Sequence, residues 1–161
     1  MVQILGSIIT MMRINKLTDY GIVVMTEIAT MKSDTVHTAK EISHRTKIPL
    51  PTVTRLLKTL SNGGLLDSQR GSQGGYSLSE SASTISVASI IESIEGPIAL
   101  TECSTNECSC SYESNCNVEL PWQKINNTVK SALEKISLAE MIQDKPNNEL
   151  VNLSMNYGDI N

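Results

Sequence analysis

The stretch Arg70-Gly71-Ser72-Gln73-Gly74-Gly75 separates two short segments, residues 65–69 and 76–78, and so predicts a β-hairpin with a glycine-rich tip. What precedes it narrows the fold further. Leu17, Tyr20, Val24, Ile28 and Met31 recur at helical spacing. Thr38-Ala-Lys-Glu41 matches a capping box, in which the Thr hydroxyl and the Glu carboxylate satisfy orphan amides at a helix start. That second helix runs to about Thr46 and buries Ala39 and Ile42. Pro49 and Pro51 bracket a third start, with Pro51 at the first helical position. Val53, Leu56, Leu57 and Leu60 form its apolar stripe, and Asn62-Gly63-Gly64 stops it. Three helices and then a two-stranded hairpin is the order of a winged helix-turn-helix, so the expected fold is mostly α with a small β-hairpin wing.

Further on, Ile85-Ser86 opens a helix over 87–94 that ends at Gly96-Pro97. Pro121 is expected to start one long helix to about Ile142, with Trp122, Ile125, Val129, Leu133 and Ile136 on one stripe. Residues 1–11 read as an N-terminal extension, 12–82 as the winged domain, 83–143 as a cysteine loop with its helices, and 144–161 as a loose tail. With no Phe and one Trp, the core must be built from Leu, Ile, Val and Met. No apolar run reaches the roughly 18 residues that span a membrane, and Met1–Met12 lacks the basic stretch and cleavage site of a signal peptide. A cytoplasmic location is expected.

The net charge of −4 hides an asymmetry. Residues 1–75 hold nine Lys or Arg against five acids, and residues 76–161 hold four against twelve. Between Thr38 and Gly75 six cations face two acids, a local +4 that marks an electrostatic footprint for nucleic acid. On the third helix Thr52, Thr54, Arg55, Lys58 and Ser61 fall outside the apolar stripe. Thr and Arg near a helix start reach base edges in a major groove, and Lys58 suits a phosphate. Arg70 at the hairpin tip suits a narrow minor groove. Lys40, Arg45 and Lys47 add local charge. His37 and His44, the only histidines, read as surface residues. There is no Ser-His-Asp set and no phosphate loop, so an enzyme is not expected.

All four cysteines, Cys103, Cys108, Cys110 and Cys116, fall within 14 residues. Glu102, Glu107, Glu113 and Glu119 surround them, and no Lys or Arg lies between Gly96 and Pro121. Acidic surroundings raise thiol pKa values, which suits neither a nucleophile nor rapid disulfide exchange. A bound cation reverses that balance and deprotonates its thiols. Soft thiolates select zinc, copper(I) or iron–sulfur clusters. Only Cys103-x₄-Cys108 has a zinc-like spacing, without a second pair or a histidine, and spacing alone leaves zinc and iron–sulfur open.

Met12-Arg-Ile-Asn-Lys-Leu-Thr-Asp19-Tyr20-Gly21, Arg70-Gly71-Ser-Gln-Gly74-Gly75-Tyr76, Ile98-Ala-Leu-Thr-Glu-Cys103 and the closing Trp122 carry a further message. From about Met12 to Ile142 the chain resembles the winged-helix iron–sulfur regulators of the Isc, Suf and nitric-oxide-sensing type, most of all the Suf branch. The resemblance implies a homodimeric transcription regulator, a repressor or an activator, on a near-palindromic double-stranded DNA operator. It implies that the long helix crosses its twin, and that no membrane or small-molecule substrate is involved. It also implies an iron–sulfur cluster, 2Fe-2S rather than 4Fe-4S, held by Cys103, Cys110 and Cys116. Cys108 stands as the alternative middle ligand. Asp19 of the opposite subunit, or Glu119, would supply the fourth. The alternative is a zinc-stapled DNA-binding or interaction module without sensory chemistry.

Overall fold

The computed structural model describes residues 15–31, 35–71, 74–101 and 119–143. The four cysteines and the expected extension and tail lie outside these residues. The order of elements is α1 (Lys16–Thr30), α2 (Ala39–Thr46), α3 (Leu50–Asn62), β1 (Leu66–Gln69), β2 (Gly75–Leu78), α4 (Val87–Glu95), α5 (Glu119–Glu134) and α6 (Leu138–Gln143). The expected winged helix-turn-helix is present.

Each early element begins and ends for local reasons. The Asn15 side chain accepts from the Leu17 amide and caps α1. Thr38 caps α2 by accepting from the Glu41 amide at 3.2 Å. The start of α3 falls one residue ahead of expectation. Pro49 is its N-cap and Pro51 its second residue, a first-turn place where a missing N–H costs nothing. Ser86 caps α4. β1 and β2 pair antiparallel in the register Leu66↔Leu78 to Gln69↔Gly75.

The core joins Val24, Met25 and Ile28 of α1, Ile42 of α2 and Ile48. Val53, Leu56, Leu57 and Leu60 of α3, Leu66 of β1, Ile85, Ile90 of α4 and Leu138 of α6 complete it. Gly21 of α1 leaves no room for a side chain against α4. A Cβ there would meet the Ile94 side chain at 2.2 Å. Beside it Thr18, fully buried, donates to the Glu95 carboxylate and so ties the start of α1 to the end of α4.

The single long helix expected over 121–142 is two helices. α5 starts at Glu119, ahead of Pro121, and ends at Glu134; α6 begins at Leu138 and turns back onto α1. The cause is a capping box, Ser137-Leu-Ala-Glu140. The Ser137 hydroxyl accepts from the Glu140 amide at 3.2 Å, and the Glu140 carboxylate accepts from the Ser137 amide and hydroxyl, both at 2.7 Å. The break lets the chain zip onto the start of α4. Val87 N–H donates to Ile136 O, Leu138 N–H to Ile85 O and Ala139 N–H to Ala82 O.

The hydrogen bonds from the Ser137 amide and hydroxyl hold the Glu140 carboxyl below its ordinary value of 4.5. A carboxyl depressed in the folded state contributes stability that is present above pH 4.5 and lost as pH falls through its lowered folded value. Ser137→Ala also removes the hydroxyl that accepts from the Glu140 amide, and should cost about 1 kcal/mol at neutral pH, the usual size for an N-cap. Thermal melts of variant and native protein should draw closer on acidification below that range without meeting, because the bond from Glu140 N–H to the Ser137 hydroxyl does not titrate.

Candidate nucleic-acid interface and the flanks of the cysteine segment

α2 and α3 are joined by Lys47-Ile48-Pro49, a turn held from both sides. Ser43 Oγ donates to Ile48 O at 2.7 Å, and Thr46 Oγ1 accepts from the Ile48 amide at 3.3 Å. Lys47 takes the left-handed conformation, with φ of 61°. Ile48 is buried beneath the turn, so the angle between the two helices is fixed by packing as well as by hydrogen bonds.

The buried face of α3 is the stripe Val53, Leu56, Leu57 and Leu60. Thr54, Arg55 and Lys58 are exposed, and Thr52 is half-buried. Arg55 and Lys58 are one turn apart and share a face. The helix contains no acid, so nothing on it neutralises either cation. The Thr54 hydroxyl donates to Leu50 O at 2.8 Å and keeps its lone pairs for an outside donor. Arg45, expected to add free charge here, is instead paired with Glu27 of α1.

The wing is anchored by a residue that sequence reasoning placed on the surface. His37 is 7% exposed, and its backbone forms an antiparallel bridge with Tyr76. His37 N–H donates to Tyr76 O at 2.8 Å, and Tyr76 N–H donates to His37 O at 2.9 Å. In effect His37 is a one-residue third strand beside β2. Its ring lies between Glu41 Oε2, 3.5 Å from Nδ1, and Thr35 Oγ1, 3.4 Å from Nε2. His44 is exposed, as expected. Gly75 is buried at this bridge, and a side chain there would not fit, since its Cβ would stand 2.6 Å from His37 O. At the tip Gly71 has φ of 117° and accepts a 3.0 Å hydrogen bond from Gly74 N–H. Arg70 is exposed beside it. The wing thus holds Arg70 outward on a hairpin fastened to the segment that leads into α2.

Asp19 is exposed in the first turn of α1. Glu119 is the first residue of α5. Cys103, Cys108, Cys110 and Cys116 lie outside the described residues, but both flanks of their segment are placed. Asn126 of α5 is 4% exposed; its Oδ1 accepts from the Leu100 amide at 3.0 Å, and its Nδ2 donates to Ile98 O at 3.1 Å. Sequence reasoning missed this residue, although a polar side chain set among Trp122, Ile125 and Val129 is the kind of interruption that signals a buried polar contact. A turn later Lys130 Nζ meets Glu92 Oε1 of α4 at 2.8 Å. The hydrogen bond and charge of Glu92 hold that ammonium above its ordinary value. Three apolar side chains near the start of α5 are left uncovered by the described residues. Leu120 is 75%, Trp122 39% and Ile125 46% exposed. Among the described residues no three His, Cys, Asp or Glu side chains converge as a metal site, and no helix is long and apolar enough to cross a membrane.

A buried-core helix-turn-helix with an acid-free outer helix and a fastened wing is the DNA-binding unit of a transcription regulator. The chain belongs to the Rrf2 family, whose model, described as an iron-dependent transcriptional regulator, matches residues 14–144. It is 29% identical over 134 residues to the helix-turn-helix-type transcriptional regulator IscR of Yersinia pestis, covering 83% of this chain and 81% of that protein. A helix-turn-helix-type transcriptional regulator of Neisseria meningitidis is 32% identical over 108 residues, 67% of this chain and 72% of that one. Among solved structures, CymR, the global cysteine regulator of B. subtilis, superposes with a TM-score of 0.64 at 28% identity, covering 83% of this chain and 98% of that one. IscR of T. potens superposes with a TM-score of 0.62 at 26% identity over 86% and 92% of the two chains. These relatives are regulators, not enzymes.

Proposed function

We propose that this regulator binds double-stranded operator DNA as a homodimer and senses iron–sulfur, redox or nitric oxide status through its cysteine segment, controlling genes of iron–sulfur assembly. α3 enters the major groove, with Thr52, Thr54 and Arg55 toward base edges and Lys58 on a phosphate. Arg70 of the wing reaches an adjacent minor groove. The observation that carries the DNA half is the exposed, acid-free face of α3 beside a wing fixed by the His37–Tyr76 bridge. The exposed apolar face of α5 supports dimerisation, since a second copy would cover Trp122 and Ile125.

The donor set fits an iron–sulfur cluster in chemistry. Three or four thiols within 14 residues, in an acidic setting that disfavours free thiolate, match a site that forms around a cation. Cys103, Cys110 and Cys116 would hold the cluster. Asp19 of the opposite subunit, or Glu119, would supply the fourth ligand, and the exposure of Asp19 in the first turn of α1 is consistent with that role. When bound, such a cluster would supply redox- and nitric-oxide-sensitive inorganic chemistry in the segment that joins α4 to α5 in sequence.

The DNA half is tested with a duplex selected from a random pool. Arg55→Ala and Arg70→Ala should each weaken its binding by about 1–3 kcal/mol if they read bases. Lys58→Ala should weaken all sequences alike and lower the salt slope by about one. Folded variants at both arginines that bind as the native protein does would overturn the assignment.

A further inference from the structure

The start of α3 departs from the usual composition of a helix start. Pro49 occupies the N-cap without a capping side chain, Leu50 is the first helical residue and Pro51 the second. Ser, Thr, Asn or Asp at a cap satisfies an orphan amide, and that contact is forgone here. What stands in its place is apolar and open to solvent. Pro49, Leu50 and Pro51 are all exposed, Leu50 by 43%. Among the described residues of the winged domain, Val23 is the one other large apolar side chain left this open.

The fold makes no use of this leucine. Ile48 just before it and Val53 just after it are buried and supply the core contacts of this turn. Prolines on both sides fix their own φ angles and hold the Leu50 backbone in place. Leu50, Thr54 and Lys58 follow one another at four-residue spacing along one side of α3. The Thr54 hydroxyl, by donating to Leu50 O, ties the second turn to the first. Leu50 therefore leads the same surface that carries the exposed Thr54 and Lys58.

A recognition helix meets base edges through its N-terminal residues. At such an edge a leucine has one favourable partner. It neither donates nor accepts, so covering guanine, cytosine or adenine groups would strip their water and replace it with nothing. The C5 methyl of thymine is the apolar feature that the major groove offers.

We propose that Leu50 is a specificity-determining residue that reads the C5 methyl group of a thymine in each operator half-site. The inference deepens the DNA-binding reading and rests on the entry of α3 into the major groove. Thr54 and Arg55 offer hydrogen bonds to base edges; Leu50 adds selection for a methyl group, which neither of them supplies.

In the duplex selected from a random pool, each thymine is replaced in turn by deoxyuridine, which lacks only the methyl and keeps every hydrogen-bonding group. At one position in each half-site the replacement should weaken binding by the native protein about fourfold per methyl, the worth of one buried methyl group. Leu50→Ala should melt as the native protein does, because the site is exposed. It should bind the thymine duplex at least about fourfold more weakly, and uracil at that position should change its affinity by less than about 1.5-fold, the mark of a coupled pair in a double-mutant cycle. Leu50→Met, of similar volume, should keep the sensitivity to uracil. Should Leu50→Ala not fold, Leu50→Gln should show the same indifference to uracil. Native protein insensitive to every replacement, or a Leu50→Ala protein as sensitive as the native one, overturns the proposal. A selected operator with no thymine at a fixed place in its half-sites overturns it too. If Arg55→Ala, Lys58→Ala and Arg70→Ala bind as the native protein does, the reading of α3 falls and the role of Leu50 with it. If they weaken binding while uracil changes nothing, only the role of Leu50 falls.

Discussion

Gly75→Val should detach the wing and cost about 2–4 kcal/mol of stability. The estimate combines two backbone hydrogen bonds at about 0.5–1.5 kcal/mol each with the strain of forcing side-chain atoms into filled space. A Cβ at residue 75 would stand 2.6 Å, 2.8 Å and 3.0 Å from the His37 O, C and N atoms. Those are backbone atoms, which cannot swing aside as the end of a side chain can. The His37–Tyr76 bridge must open, and Arg70 loses its fixed place relative to α3. The melting temperature should fall by roughly 4 °C for each kcal/mol lost. At a temperature where the variant is folded, its DNA affinity should fall at least as far as that of Arg70→Ala. Ser68→Ala, at an exposed site on β1, should melt within about 0.5 kcal/mol of native protein. A Gly75→Val protein that melts and binds DNA like the native one would show that the wing is not held through this bridge.

The second large effect concerns the thiols. Cys103→Ala, Cys110→Ala and Cys116→Ala should each abolish iron and sulfide retention in protein purified without oxygen, because a cluster with three thiolate ligands has none to spare. Cys108→Ala should retain both. Retention by Cys110→Ala with loss in Cys108→Ala would move the middle ligand to Cys108, which one intervening serine allows. Loss in none of the four would remove the cluster. Zinc retained by colourless protein would instead mark a structural staple. A colourless protein insensitive to iron, whose operator affinity followed cysteine supply, would place it functionally with CymR.

The winged domain was legible because its determinants are local. Thr38 caps, Val53 to Leu60 repeat at helical spacing, Gly63-Gly64 stops, and a glycine-rich tip follows. Four features were not, and each depends on a partner far along the chain or on a signal that periodicity conceals. His37 sits in a polar link, and only the arrival of Tyr76 turns it into a strand and buries it. Leu138 and Ile142 continue the apolar rhythm of α5, so periodicity reads through the break at Ser137, although the Ser137–Glu140 capping box was there to be seen. Asn126 looks like any polar helix residue until Ile98 and Leu100 fold back on it. Arg45 reads as a free cation until α1 brings Glu27 beside it. The reading of the cysteine site rests on residue chemistry and on its two placed flanks.

In the proposed reading, those flanks would link the cysteine segment to the winged domain. Asn126 holds the approach to Cys103, Lys130 of the same helix grips Glu92 of α4, and Glu95 of α4 grips Thr18 of α1. The most direct test is the affinity of native protein, cluster-loaded and then stripped without oxygen, for one selected operator at one salt concentration. A difference of about 5–150-fold, the usual span of allosteric coupling, is the expected result. Equal affinity in the two states would contradict the claim that the cysteine segment governs DNA binding.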